Sequence, residues 1–482
     1  MTTSFITTAI PYVNATPHLG FAYELVLADI LARHRRRRGD AVKLVAGTDD
    51  HSLKNVRAAA REGLATAALV ERNAAAFAQL GDLLGLSIDD FVRTSRDPRH
   101  RVAVEHLWRA CAGDLYRRAW EGHYCVGCEA FVDSAAPCAE HGTAPERVVE
   151  DNWFFRLSRY RAPIRDAIAS GRLTIVPDAA RAETLAFLDG EVRDLSVSRD
   201  ATRAGSGWGI PVPGDPSQVI YVWFDALANY LSALSLGGDA PLVERWWRDA
   251  EVTHVIGKGI TRFHAVYWPA FLLAANLPLP DRIFVHGYLT VDGEKIAKSG
   301  RGFAVEPVVA DVGRDALRWF FARRCRTRAD SDVTRDAIVA AHDGDLVDRL
   351  GNLVHRTRTL AASVGRVDVA PPPEAVALPG RIDAALDAFC IDEAAAAIVD
   401  VADTANRLLD QTAPWRLART DRAAAARALA TPIALARAAA EALAPICPEI
   451  SRALLAETEG PPLHRLRDSR APVASPSARC SS

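Results

Sequence analysis

Lysine is nearly missing from this chain. Of 58 basic residues among 482, lysine fills only five positions, 43, 54, 258, 295 and 298, and arginine takes the rest. Each lysine is therefore informative, because a compact ammonium kept in an arginine-rich chain marks a demand for a point charge. Net charge is also lacking: 58 basic against 60 acidic residues leaves a formal −2. That neither favours nor opposes an RNA partner, which needs only a local basic surface. No stretch reaches about 18 uninterrupted apolar residues, which excludes a membrane-spanning helix. The first ten residues have neither a basic start nor a long apolar run, so they read as an opening strand and not as a targeting segment. The eight cysteines lack the paired framework of a secreted domain. Three crowd between 125 and 138 and the others scatter, which fits a reducing, cytoplasmic setting.

What is present is ordinary for a globular chain: 49% hydrophobic and 24% charged residues. At about 150 residues per domain the length predicts about three units. Residues 5–10 read as a buried strand, 24–37 carry apolar residues at helical spacing, and 41–46 form a second strand. This is the opening of a parallel, doubly wound α/β sheet. Further short apolar strands at 219–223, 253–256 and 282–285, each followed by a helical stretch, predict the other half of a split sheet. The units expected are 1–113 and 211–284 for the two sheet halves, 114–210 for an insertion, and 285–335 for a connecting region. A helical bundle over 336–466 follows, interrupted by a Pro-rich linker near 370–379, and then a disordered tail at 467–482. Four arginines at 35–38 end the first helix and read as solvent-facing cations at a helix C-terminus.

Four segments carry chemistry. Pro17-His18-Leu19-Gly20-Phe21 stands where the first strand gives way to the first helix. A histidine there can donate to a phosphate, and a glycine lets a nucleotide lie against backbone; by itself the segment is equally an ordinary turn. Lys295-Ile296-Ala297-Lys298-Ser299 holds two of the five lysines, and an exposed turn is its competing reading. Cys125-Val126-Gly127-Cys128 with Cys138-Ala139-Glu140-His141 forms a C-x2-C, C-x2-H array. Four such ligands suit one structural tetrahedral Zn²⁺ with no open position. In the bundle, residues 350–356 and 406–415 offer an amide, an arginine fork and an indole face, groups that suit unstacked RNA bases.

Together the His18 and Lys295 segments resemble the His-Ile-Gly-His and Lys-Met-Ser-Lys-Ser signatures of class I aminoacyl-tRNA synthetases. The resemblance narrows to the methionyl branch at 7–14, at Gly47-Thr48-Asp49-Asp50-His51, at 208–214, at 222–230, at Ile256-Gly257-Lys258 and at Phe263-His264. It implies a Rossmann-type catalytic domain with a zinc-knuckle insertion and an all-α anticodon-binding domain. It also implies ATP with Mg²⁺ as cofactors, and a nucleotide site of His18, Gly20, Lys295, Lys298 and Ser299, with His18 and the two lysines catalytic. Ile10, Tyr12, Trp223, Ala226, Tyr230, Ile260 and His264 would form the methionine pocket, with Asp49 holding the ammonium. Aromatic faces suit a thioether and a carboxylate suits an ammonium; core packing is the competing reading for Trp223 and Tyr230. Asn352, Arg356 and Trp415 would read the anticodon, against solvated polars for the first two and a core plug for the third.

The implied activity is ATP-dependent formation of a methionyl adenylate and its transfer to elongator and initiator tRNA by a monomeric cytoplasmic ligase with no membrane partner. Several positions depart from the family pattern. Phe21 replaces the second signature histidine, Gly259 an aspartate, Asp50 and Ser52 a glutamate and a glycine, and Ala297 a serine. Two other readings therefore stay open: a paralogue that passes the acyl group to a small molecule, and a tRNA-binding protein without turnover.

Overall fold

The computed structural model describes residues 2–125, 130–132, 135–138, 142–202, 207–291, 293–296, 304–365, 367–456 and 463–466. Cys128, His141, Ala297, Lys298, Ser299 and the tail from 467 lie outside them, as does the side chain of Lys295. Two compact units result, Met1–Pro307 with Arg328–Ser331, and Val308–Thr327 with Asp332–Ser482.

The first unit is built on six strands. Thr3–Thr8 (β1) is rich in β-branched residues and buried from Ser4 onward, as expected of a strand covered on both faces. The helix Leu19–Arg37 (α1) follows, then Ala41–Thr48 (β2) and Asp90–Arg93 (β3). Thr174–Val176 (β4), Glu251–Gly257 (β5) and Arg282–His286 (β6) complete the set. Their order is β3-β2-β1-β5-β6-β4, and every pairing is parallel. The order reverses between β1 and β5, and such switch points leave a crevice at the carboxyl ends of the strands. Phe5, Val45, Val92, Val252, Ile256 and Ile283 join Phe224, Trp268 and Phe271 in one buried core around this sheet.

Several expectations need correction. Residues 219–223 are not a strand of the main sheet. Asp215–Ile220 pairs antiparallel with Ser198–Asp200 and Pro211–Val212 in a separate three-stranded sheet, and Val222–Leu227 is helical. A short apolar run fits a strand or a helix equally well, so its period could not decide. After β6 the chain makes a hairpin of Leu289–Val291 with Glu294–Lys295 rather than a helix. Gly293 turns it at φ +78°, where a side chain would be strained. The insertion does not stay apart either: after the hairpin Leu115–Cys125 with Glu146–Phe155, the chain contributes β4 to the edge of the main sheet.

The arginines closing α1 are only partly solvent-facing. Arg35 forms a fork on Glu251 at 2.8 and 3.2 Å, and Arg36 pairs with Asp89 at 2.6 Å. Arg37 and Arg38 are exposed.

The second unit is helical. Its longest helices are Ile391–Thr412 and Arg422–Ala442. Arg314–Arg323, expected in the connecting region, belongs with this unit. Its Arg318 is fully buried and donates to the carbonyls of Ile446 (2.6 Å) and Pro445 (3.0 Å), so a buried cation stands on helix-end acceptors. The supposed linker at 370–379 is largely helix: Pro373–Asp387 starts on a proline, which the first turn tolerates, and absorbs Pro379. Among the described residues, no helix is long and apolar enough to cross a membrane.

Candidate active site

The ends of three neighbouring strands open onto one cleft. Ala9 to Tyr12 and Asn14 follow β1, Lys258 to Phe263 follow β5, and Gly287 to Leu289 follow β6; with His18, Gly20 and Phe21 they line a cavity of about 800 Å³. Ile296, the neighbour of Lys295, lines it too. Lys295 itself pairs through its backbone with Thr290, and Ala304, beyond the lysine segment, forms a bridge with His18. The two signatures, about 275 residues apart, thus converge on a single cleft.

His18 caps α1. Its Nδ1 accepts from the Gly20 amide at 3.0 Å, which fixes the neutral ring's proton on Nε2. Gly20 has to be glycine here, because a Cβ would stand 2.8 Å from His18 Cε1. Phe21 packs on the His18 ring with centroids 4.5 Å apart. One turn on, the buried Glu24 accepts from the Ala9 amide at 2.9 Å and meets His286 Nε2 at 3.0 Å. The pair ties α1 to β1 and β6, and no sequence signal announced it.

The expected amino-acid residues divide into two groups. Ile10, Tyr12, Trp223 and Ile260 line the cleft. Asp49, Ala226, Tyr230 and His264 are buried and do not. Each buried member is nonetheless tied to a lining one. Asp49 bridges Tyr12, Ala226 follows Trp223 on one helix, and His264 Nδ1 donates to the Ile260 carbonyl at 3.0 Å. Tyr230 then donates its hydroxyl to His264 Nε2 at 2.7 Å. Burial lowers the His264 pKa to about 4, so the imidazole is neutral and the tautomer settled. Trp223 stacks on Phe263 at 3.7 Å, nearly parallel, and its edge meets Tyr12 at 6.1 Å.

Next to Asp49 lies a second cluster. Asp225 is buried and takes His51 Nδ1 at 2.7 Å and His100 Nε2 at 2.5 Å, one oxygen each. Burial opposes its ionisation, but the two imidazoles outweigh that and hold the carboxyl well below its usual range. Burial likewise opposes the charge on His51, yet Asp225 and Asp50 raise its pKa. Two departures from the family pattern are used locally: Asp50 accepts from Thr48 (2.9 Å) and Ser95 (2.6 Å), and Ser52 Oγ caps the Lys54 amide at 3.0 Å. Gly259 is a third. Its Cβ would lie 2.3 Å from the Tyr288 hydroxyl, and Tyr288 sits under Lys258 Nζ (4.5 Å), which pairs with Asp330 at 2.7 Å.

Of the cysteine array, Cys125 ends the strand Leu115–Cys125 opposite Ala130. Cys138 sits on a tight turn, accepting from Gly142 (2.7 Å) and donating to Thr143 (2.9 Å); Cys128 and His141 lie outside the described residues. In the helical unit Asn352 is exposed, and Arg356 lies over the Trp415 ring at 5.5 Å while bonding Asp410 at 3.2 Å.

A parallel sheet with its cleft at the switch point, a capping histidine facing that cleft, and a lysine segment returning to it are the arrangement of a class I aminoacyl-tRNA synthetase. The family described as "tRNA synthetases class I (M)" matches residues 4–137 and 133–358, and the "Anticodon binding domain of methionyl tRNA ligase" matches 378–469. A methionine--tRNA ligase of Brucella suis is 39% identical over 86% of this chain and 84% of its own length. One of Mycobacterium tuberculosis is 37% identical over 94% and 91%. The structure of the Mycobacterium tuberculosis methionyl-tRNA synthetase in complex with methionyl-adenylate superposes with a TM-score of 0.87, at 36% identity, over 94% of this chain and 93% of that one. The chain belongs to the methionyl-tRNA synthetase family.

Proposed function

We propose that the chain activates methionine with ATP and transfers it to elongator and initiator tRNA(Met). The observation that carries this reading is the common cleft of His18 and Ile296, which brings the lysine segment to the histidine. One carboxylate oxygen of methionine attacks the α-phosphorus of ATP and pyrophosphate leaves. A ribose hydroxyl of the terminal tRNA nucleotide then takes the acyl group and AMP departs. His18 donates from Nε2 to the phosphates, and Gly20 leaves room for them against the backbone. Lys295 and Lys298 neutralise the charge that builds on the leaving group, with Ser299 beside them, while Mg²⁺ spans phosphate oxygens. Positioning supplies much of the acceleration, as in other phosphoryl chemistry.

Asp49 receives the ammonium, and Ile10, Tyr12, Trp223 and Ile260 enclose the side chain. Ala226, Tyr230 and His264 back them through the contacts above. A neutral His264 suits an apolar thioether, since a charged one would need solvation. Cys125, Cys128, Cys138 and His141 hold one structural Zn²⁺. The strand end at Cys125 and the tight turn at Cys138 fit two such knuckles, and the ion would order the insertion without entering the reaction. Asn352, Arg356 and Trp415 read the anticodon. The setting is the cytoplasm, where thiolates stay reduced.

Charging of purified tRNA(Met) tests this reading. Acylation of both initiator and elongator species is expected. Methionine-dependent pyrophosphate exchange with neither tRNA charged would instead assign the acyl group to a small-molecule acceptor.

A further inference from the structure

We propose that Lys54 holds the carboxylate of the amino-acid substrate, an inference that rests on the activation of methionine proposed above. Three of the five lysines have described side chains. Lys43 pairs with Asp90 at 3.6 Å and Lys258 with Asp330 at 2.7 Å. Lys54 differs: among the described residues its ammonium has no carboxylate partner, its close neighbour being the face of Tyr12, with Nζ 4.8 Å from the ring centroid. It is half-buried and lines the same cleft as Tyr12, Trp223 and His18. A cation that faces a cleft without an anion is matched by an anionic ligand, because its partial desolvation is otherwise uncompensated.

The turn that presents it is well fixed. Asp49 Oδ1 accepts from the His51 amide at 3.1 Å, Ser52 Oγ from the Lys54 amide at 3.0 Å, and Asn55 Nδ2 donates to the carbonyls of Asp49 and Asp50 at 3.1 and 2.9 Å. Asp49 and Lys54 therefore come from one turn, and both approach Tyr12, the first by a backbone bridge and the second over its ring. An α-amino acid carries an ammonium and a carboxylate on neighbouring carbons. A carboxylate for the one and an ammonium for the other, offered from a single rigid turn, match that zwitterion. Lys54 would bind the oxygen that does not attack. The other oxygen then forms the bond to the α-phosphorus, and the α–β bridging bond breaks with its electron pair leaving on pyrophosphate. In the product, Lys54 faces the acyl carbonyl oxygen.

The test compares L-methionine with L-methioninol, which keeps the ammonium and side chain and lacks the carboxylate. Dissociation constants are measured for the full chain, for Lys54→Met and for Lys54→Arg. Lys54→Met should weaken methionine binding by about 10- to 100-fold, the range for a hydrogen bond to a charged group, and leave methioninol within about twofold. Lys54→Arg should recover part of the loss. In pyrophosphate exchange the KM for methionine should rise while that for ATP stays. Equal losses for both ligands, no loss for either, or a rise confined to the KM for ATP would overturn the assignment. Failure of the unaltered chain to bind methionine or exchange pyrophosphate would strike the functional reading itself, and so is told apart from a failure of Lys54 alone. Thermal unfolding of Lys54→Met should match the parent, since no ion pair is removed.

Discussion

Phe21 lies on the His18 ring at 4.5 Å and sends its other edge to Phe77 at 5.3 Å. The side chain that stands where the family has its second signature histidine is thus a packing element, and it holds the ring of the first one.

A donor restored at this position should add to the charge stabilisation of the leaving phosphates. One preorganised donor is worth about 10²–10³ in rate, and the lost packing on Phe77 offsets part of it. Phe21→His is expected to raise the maximal pyrophosphate-exchange rate by about tenfold. An unchanged or lower rate would mean that the phosphate site depends on the phenyl stack.

Removing Asp225 should unfold more than it inactivates. It is the common partner of His51 and His100, and truncating one member of a buried charged network costs roughly 3–5 kcal/mol. Asp225→Ala should lower the denaturant midpoint of the first unit by that amount, whereas Asp225→Asn, which keeps the shape, should lose less. Equal midpoints for Asp225→Ala and the parent would contradict the role given to the cluster.

The buried histidines give the stability a signed pH dependence. His264 has its folded pKa lowered to about 4 from 6.5, with burial as the cause. Its contribution is therefore present above pH 6.5 and is lost as the pH falls toward 4, because the unfolded chain binds the proton first. Over that window the loss is about 1.4 kcal/mol per pH unit for one proton. His254, pushed down by burial and by His264, adds in the same sense. His51 has the opposite sign: its raised pKa gives stability that is complete below 6.5 and lost as the pH rises through the folded value. Denaturant midpoints of His264→Gln should fall less steeply than the parent's between pH 6.5 and 4. Parallel profiles would deny the buried neutral imidazole.

Much of the site was legible in the sequence because its residues fall in short contiguous segments. The turn at His18, the segment at Lys295 and the stretch around Trp223 each present residue types that few other purposes need together. The remainder was hidden for physical reasons. β3 and β4 are edge strands of four and three residues, too short for alternation to register. Glu24 with His286, and Asp225 with His51 and His100, are partners 262, 174 and 125 positions apart. Nothing local in the chain records such a pairing. Lys54 was visible only as a scarce residue type, and its significance comes from the cleft it faces.

The two units should separate in their kinetics. Trp415 is half-buried beneath Arg356, and loss of one stacked base contact is worth about 1–3 kcal/mol. Trp415→Ala should reduce kcat/KM for tRNA charging by about 10- to 100-fold while leaving pyrophosphate exchange unchanged. A parallel fall in both activities would make Trp415 a core plug and not an RNA contact.

The central claim is that one cleft, bounded by His18 on one side and the lysine segment on the other, joins ATP to methionine. Pyrophosphate exchange measured with each of the twenty amino acids in turn addresses it most directly. Methionine should support exchange well above every other amino acid; exchange with none of them, or a preference for a charged or small one, would contradict the account.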